Sequence, residues 1–221
     1  MNIGLATVSF TADPSGALVW PAARTLIVAD LHFEKGSSYA AAGRMLPPYD
    51  TTATLAHLRA AIARTKAGRV ICLGDSFHDT DGPARLADET HRALREIVSA
   101  VDWIWVVGNH DPDLPASLGG TVAHDFCEAG LTFRHIADPD AAGAEISGHY
   151  HPKATVATRG RRVTRPCFAR NGTRIVLPAF GAFTGGLNVR DPALAALLGA
   201  EYDVILLGGS KLHRFAARDL D

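Results

Sequence analysis

Apolar residues fall in short runs along the first half of the chain, and most runs stop at a glycine or a polar residue. Leu5 to Phe10 and Ala17 to Trp20 read as two short strands around the turn Asp13-Pro14-Ser15-Gly16. Thr25 to Ala29 is a continuous apolar strand ending at Asp30. Lys35 to Gly43 is polar and alanine-rich, a loop leading into a short helix that Pro47-Pro48 breaks. Asp50-Thr51-Thr52 offers a cap for a helix running to about Lys66, with Leu55, Leu58 and Ile62 on one face and Gly68 behind it. Arg69 to Leu73 is the next strand, Pro83 to Ala100 a second amphipathic helix, and Val101 to Val107 the strand after it.

Beyond Gly108 the pattern changes. Segments around Phe126, Leu131 to His135, Ala144 to Ser147, Ala154 to Ala157 and Arg174 to Leu177 read as strands without helices between them. Asp191-Pro192 opens a short helix to Leu198, and Val204 to Leu207 with Leu212 to Phe215 form a closing hairpin around Gly208-Gly209. The order β-α-β-α-β followed by mostly β predicts an α/β fold. Two mixed sheets pack together with helices outside, a four-layer α-β-β-α sandwich in one domain over residues 1–221.

Composition adds little to this until charge is mapped along the chain. Hydrophobic residues make up 47%, charged residues 20%, and the formal net charge is −1. From Ile146 to Arg190, however, Lys153, Arg159, Arg161, Arg162, Arg165, Arg170, Arg174 and Arg190 are accompanied by no acid, giving +8. The remainder holds 14 basic and 23 acidic residues, a net −9. A cationic stretch on an acidic body points to a phosphate-rich partner on one face. Cys72, Cys127 and Cys167 form no C-x-x-C pair, which argues against a disulfide framework or zinc ribbon and fits a reducing cytoplasm. No signal peptide and no bilayer-length apolar run are evident, so no membrane association is expected.

The chemistry lies where the strands stop. Asp30-Leu31-His32 ends one, Gly74-Asp75 the next and Gly108-Asn109-His110-Asp111 the third; His135 and Gly148-His149-Tyr150-His151 follow later strands. Two residues apart on an extended segment, Asp30 and His32 point the same way, as do His149 and His151. Singly, a D-x-H or a lone histidine is more often a turn or surface feature than a ligand. Jointly, they place carboxylates, an amide and imidazoles at the carboxyl ends of successive strands, where ligands bind in open α/β sheets. One carboxylate can offer an oxygen to each of two cations. Such a pair, roughly 3.5–4 Å apart, acidifies a shared water and clamps a phosphate for in-line attack. Oxygen and imidazole ligands without thiolate suit Mn, Fe or Zn.

The series resembles the calcineurin-like metallophosphoesterases from Asp30 to His151, in order and with no ligand position missing. Within that superfamily it is similar to the bacterial ligase-associated DNA-damage-response endonucleases. That likeness is carried by residues 29–36 (ADLHFEKG), 74–79 (GDSFHD) and 178–186 (PAFGAFTGG). The resemblance implies one divalent ion on Asp30, His32, Asp75 and His151. It implies a second on Asp75, Asn109, His135 and His149, with Asp75 bridging. His135 departs from the family in lacking a following glycine, and His124 is the nearest substitute. The family favours Mn2+, whereas the affinity order favours Zn2+. His110 is left to stabilise negative charge or protonate the leaving oxygen, with Asp111 orienting it.

Other residues carry two readings. His78 is a substrate contact or a solvated loop histidine. Arg161, Arg162 and Arg165 form a phosphate-backbone groove or a solvated hairpin rim. Phe180 and Phe183 could stack on bases, but core packing is the expectation for both. For His57, His91 and His213 the expectation is an unremarkable surface role. The expected activity is metal-dependent phosphodiester hydrolysis in nucleic acid, with DNA the favoured substrate. The resemblance implies an ATP-dependent DNA ligase and associated repair nuclease and helicase as partners. The alternatives are a phosphoesterase for small nucleotides or sugar-nucleotides and a non-catalytic protein-binding scaffold; seven intact ligands argue against the scaffold.

Overall fold

Strands apolar on both sides need cover on both sides, and that requirement sets the layers. The computed structural model describes residues 1–158 and 160–221; Arg159 of the basic stretch lies outside the described residues. The first sheet contains β1 (Asn2–Leu5), β2 (Val8–Ala12), β3 (Leu18–Trp20), β4 (Thr25–Val28), β5 (Arg69–Leu73), β6 (Asp102–Val106) and β7 (Thr121–Ala123), in that spatial order. β1 to β4 pair antiparallel, and β4 to β7 are parallel.

The second sheet draws on β8 (Phe126–Glu128), β9 (Leu131–Arg134), β10 (Ala144–Ser147), β11 (Lys153–Thr158), β12 (Arg161–Arg170), β13 (Arg174–Val176), β14 (Asp203–Gly208) and β15 (Lys211–Ala216). Its order is β15-β14-β12-β13-β10-β9-β8, with β11 paired to β12. β9, β10 and β13 are parallel. The helices are α1 (Lys35–Ala41), α2 (Asp50–Thr65), α3 (Gly82–Arg85), α4 (Asp88–Ser99) and α5 (Pro192–Leu198).

Alternation along β5 shows how the layers form. Ile71 and Leu73 join Phe10, Phe133, Phe168 and Ile175 between the sheets. Val70 and Cys72 face outward to Leu55 and Leu58 of α2 and Leu94, Ile97 and Val98 of α4. The outer face of the second sheet packs Cys167, Val176 and Leu206 against Leu194, Leu197 and Leu198 of α5. The four-layer sandwich of two mixed sheets is therefore present.

Local differences have local causes. Leu5 to Phe10 is two strands, because Ala6 turns at φ 51° and pairs Leu5 with Val8. The helix expected over Pro83 to Ala100 is interrupted at Leu86, whose ψ is 127°, and restarts with Asp88 and Glu89, acids suited to a helix N-terminus. Asp50 does not cap α2; it lies inside the helix and its carboxylate accepts from the Gly36 amide at 2.9 Å. Thr51 accepts from the Glu34 amide at 2.8 Å and donates to the Glu34 carboxylate. These two residues tie α2 to the segment after His32. β12 was not expected, because arginines and Pro166 mask its pattern; half of it projects past the sheet as a solvated hairpin with β11.

Candidate metal centre

Parallel strands aim their carboxyl ends the same way, and the seven ligand candidates all follow such ends. Asp30 and His32 follow β4, Asp75 follows β5 and Asn109 follows β6; His135 follows β9, and His149 and His151 follow β10. The backbone continues the pairing past the strands. His32 N donates to Asp75 O at 2.9 Å, Phe33 N to Ser76 O at 2.8 Å and Gly148 N to His135 O at 3.0 Å.

Strand alternation is not what aims the side chains. Asp30, His32, Asp75, His149 and His151 all have positive φ, between 44° and 70°. Non-glycine residues rarely adopt this left-handed region, and its strain concentrates at functional sites. D-x-H and H-x-H thus converge through alternating left-handed kinks rather than through the period of an extended strand. Gly74, also at positive φ, lies so close to the His135 ring that a β-carbon there would collide with it.

Two groups result. Asp30, His32 and His151 form one; Asp75, His135 and His149 form the other; within each, ligand atoms lie within 4.8 Å of one another. In the first, His151 Nε2 is 3.3 Å from Asp30 Oδ1 and 3.2 Å from His32 Nε2. In the second, His135 Nε2 is 3.2 Å from Asp75 Oδ1, 3.2 Å from His149 Nδ1 and 3.0 Å from Asn109 Oδ1. The remaining Asp75 oxygen lies 3.9 Å from His32 Nε2, so this carboxylate stands between the groups.

Protonation decides what these atoms fit. His135 Nδ1 contacts the Leu73 carbonyl at 2.9 Å; a carbonyl only accepts, so Nδ1 carries a proton. In the neutral ring Nε2 then presents a lone pair toward the oxygens of Asp75 and Asn109. Such a convergence of acceptors fits a cation. Burial opposes ionisation of Asp75, yet the hydrogen bond and charge of a protonated His135, the His110 amide and His32 hold its carboxyl down at about 2. Burial opposes protonation of His135, but Asp75, Asp30 and the Leu73 carbonyl raise it, and a cation would take the place of its Nε2 proton. Burial, then His151, pushes His32 down to about 3, which keeps it a neutral donor. The cysteines contribute no ligand to either group, so the donor set is oxygen and nitrogen, suited to Mn, Fe or Zn.

His110 stands beside these groups, its Nε2 3.9 Å from Asp75 Oδ2 and its side chain 41% exposed. Its Nδ1 donates to the His78 carbonyl at 2.7 Å, which leaves Nε2 facing the centre. Asp111 does not orient it. That carboxylate accepts from the Gly108 and Phe77 amides, both at 3.0 Å, and braces the loop. Burial raises Asp111 to about 6 despite those amides. The orienting group is main chain, which no sequence motif reveals.

His78 is drawn into the site: its ring stacks on His110 at 5.4 Å and 22°, meets the edge of His32 at 5.4 Å, and has Tyr39 at 5.6 Å. The arginines lie on the β11–β12 hairpin, with Arg165 opposite Ala154 near its base. Arg161 pairs with Thr158 at the distal end of the hairpin, five strand residues beyond Lys153, roughly 17 Å. Arg162 is bound to Asp221 at 2.7 Å. Arg165 lines a cavity of about 480 Å3 with Val156, His213 and Phe215. Among the described residues, no hydrogen bond or ion pair joins these three to the ligands. His124 is exposed and is not a ligand candidate. Phe180 is core as expected, but Phe183 is 52% exposed and corrects that expectation. A cavity of about 580 Å3 lined by Arg170, Asp203 and Arg214 sits at the opposite ends of the strands.

The profile of the calcineurin-like phosphoesterases matches residues 23–164. No curated protein sequence matches. Among solved structures, the nuclease MPE of Pseudomonas putida superposes with TM-score 0.76 at 27% identity, covering 97% of this chain and 99% of that one. Yfce, a phosphoesterase from E. coli, aligns at 14% identity and TM-score 0.44, over 87% of this chain and 98% of that one.

Proposed function

This chain belongs to the calcineurin-like phosphoesterase family, and from that premise we propose that it is a dinuclear-metal phosphodiesterase that cleaves nucleic acid. The reading is carried by one observation: Asp75 stands between two ligand groups, with one oxygen toward His135 and the other toward His32. Asp30, His32, Asp75 and His151 would hold one ion, and Asp75, Asn109, His135 and His149 the other. Bound divalent ions supply positive charge to a phosphoryl oxygen and acidify a water.

The remaining work falls to the chain's own groups. His110, fixed by the His78 carbonyl, presents Nε2 to protonate the leaving oxygen or to stabilise its charge. Its partial exposure lets a substrate reach it. Nucleic acid is favoured as substrate by the likeness to the Pseudomonas putida nuclease and by the cationic segment from Ile146 to Arg190. Mn2+, a role in DNA repair and a ligase partner rest on the sequence resemblance, and a cytoplasmic location rests on the cysteine usage. No helix among the described residues is long and apolar enough to cross a membrane.

Metal analysis of the purified protein, with hydrolysis of bis(p-nitrophenyl) phosphate and of DNA in Mn2+, tests this reading. Two ions per chain and cleavage of both substrates are expected. A manganese-supplied protein that leaves every ester intact removes it, and a marked preference for mononucleotides redirects it to small esters.

A further inference from the structure

Phe183 sits on a loop fastened at both ends to the backbone that carries the metal ligands. At one end Gly181 N donates to Asp30 O at 3.1 Å. At the other, Leu187 N donates to Tyr150 O at 3.2 Å, between His149 and His151, and Lys153 N donates to Leu187 O at 2.7 Å. Gly186 rests directly on the His151 carbonyl and beside the Lys153 side chain. Further bonds stiffen the interior: Ala182 N to Thr54 Oγ1 and Thr184 Oγ1 to Gly181 O, both at 3.0 Å.

Within this rigid frame Phe183 takes φ 57°, a conformation bulky residues avoid, and turns its ring outward with 52% of its surface exposed. A loop that needed only to pack would bury the ring and relax the backbone. Here the fold holds an aromatic face in solvent on a loop bonded to the backbone of Asp30 and Tyr150, and the Lys153 side chain of β11 lies against Gly186 of that loop. An exposed ring on a loop that also meets a lysine side chain suits a planar, phosphate-bearing group.

We infer that Phe183 is a stacking platform for a nucleobase of the substrate and positions the adjoining phosphate at the metal centre. This rests on the nucleic-acid reading above. Stacking is tolerant of sequence because every base has a π-face, so the residue selects nucleotides over plain phosphodiesters without selecting a particular base.

The test compares a short oligothymidylate with an abasic oligomer of equal length, in Mn2+. Cleavage and, separately, fluorescence-anisotropy binding are measured for wild type, Phe183→Ala, Phe183→Leu and Phe183→Trp. Wild type is expected to favour the base-bearing oligomer about tenfold. The ratio should fall toward one in the Ala and Leu variants and stay high in Trp. Equal handling of the two oligomers by wild type, or a full preference kept by Phe183→Leu, overturns the inference. If neither oligomer is cleaved, the nuclease reading fails, and the binding ratio still decides the role of Phe183.

Discussion

His135 and Leu73 join the two sheets by one hydrogen bond: the imidazole Nδ1 that follows β9 donates to the carbonyl that ends β5, at 2.9 Å. The bond fixes the tautomer, so the opposite nitrogen is free for a cation, and it registers β9 against the strand whose tip carries Asp75. The ring fits because Gly74 has no side chain. Gly74→Ala should displace His135 and strain a left-handed residue. It is expected to cost about 2 kcal/mol or more and to lower the melting temperature by several degrees. Calorimetry with metal analysis checks this; an unchanged melting curve and full metal content would refute the coupling.

Asp75 and Asn109 differ in reach. Asp75 approaches both groups, whereas among the described residues the Asn109 side chain meets only His135. Asp75→Ala should therefore impair both ions, and Asn109→Ala chiefly one. Metal stoichiometry after dialysis separates the two outcomes, and equal losses would contradict a bridging Asp75.

His110→Ala should keep its metals and lose activity by roughly 10²- to 10⁴-fold. His78→Ala should lose less, because the group that holds His110 is the His78 main-chain carbonyl, which the substitution retains. Steady-state rates on bis(p-nitrophenyl) phosphate test the ranking. An inactive His78→Ala beside a half-active His110→Ala would reverse the roles.

Arg161 and Arg165 stand on the hairpin that follows the ligand segment, Arg161 at its far end and Arg165 near its base, where an extended polymer can meet both. Neutralising both should leave bis(p-nitrophenyl) phosphate hydrolysis intact. It should also weaken DNA binding and flatten its salt dependence by about one unit of slope per lost phosphate contact. Binding titrations over a salt series measure this; an unaltered slope would make the hairpin an ordinary solvated rim.

Much of the layer order is legible in local pattern. Period-two burial in β5 and the leucine faces of α2 and α4 follow from which positions must leave water, and that information is written residue by residue. The ligand candidates are legible because each apolar run stops at a carboxylate, amide or imidazole. Where pattern failed, the deciding partner was remote or was backbone. β12 is hidden because half of its length has solvent for a neighbour. Asp111 looked like a partner for His110, but amides at Phe77 and Gly108 claim it. Phe183 looked like core, yet hydrogen bonds to Asp30, Thr54 and Tyr150 hold its loop so that the ring faces water. The chain's one-dimensional order thus determined which residues could bind cations and which faces had to be covered. Only the fold decided which lone pairs meet, because five left-handed kinks and the register between two sheets arise from contacts among segments far apart in the chain.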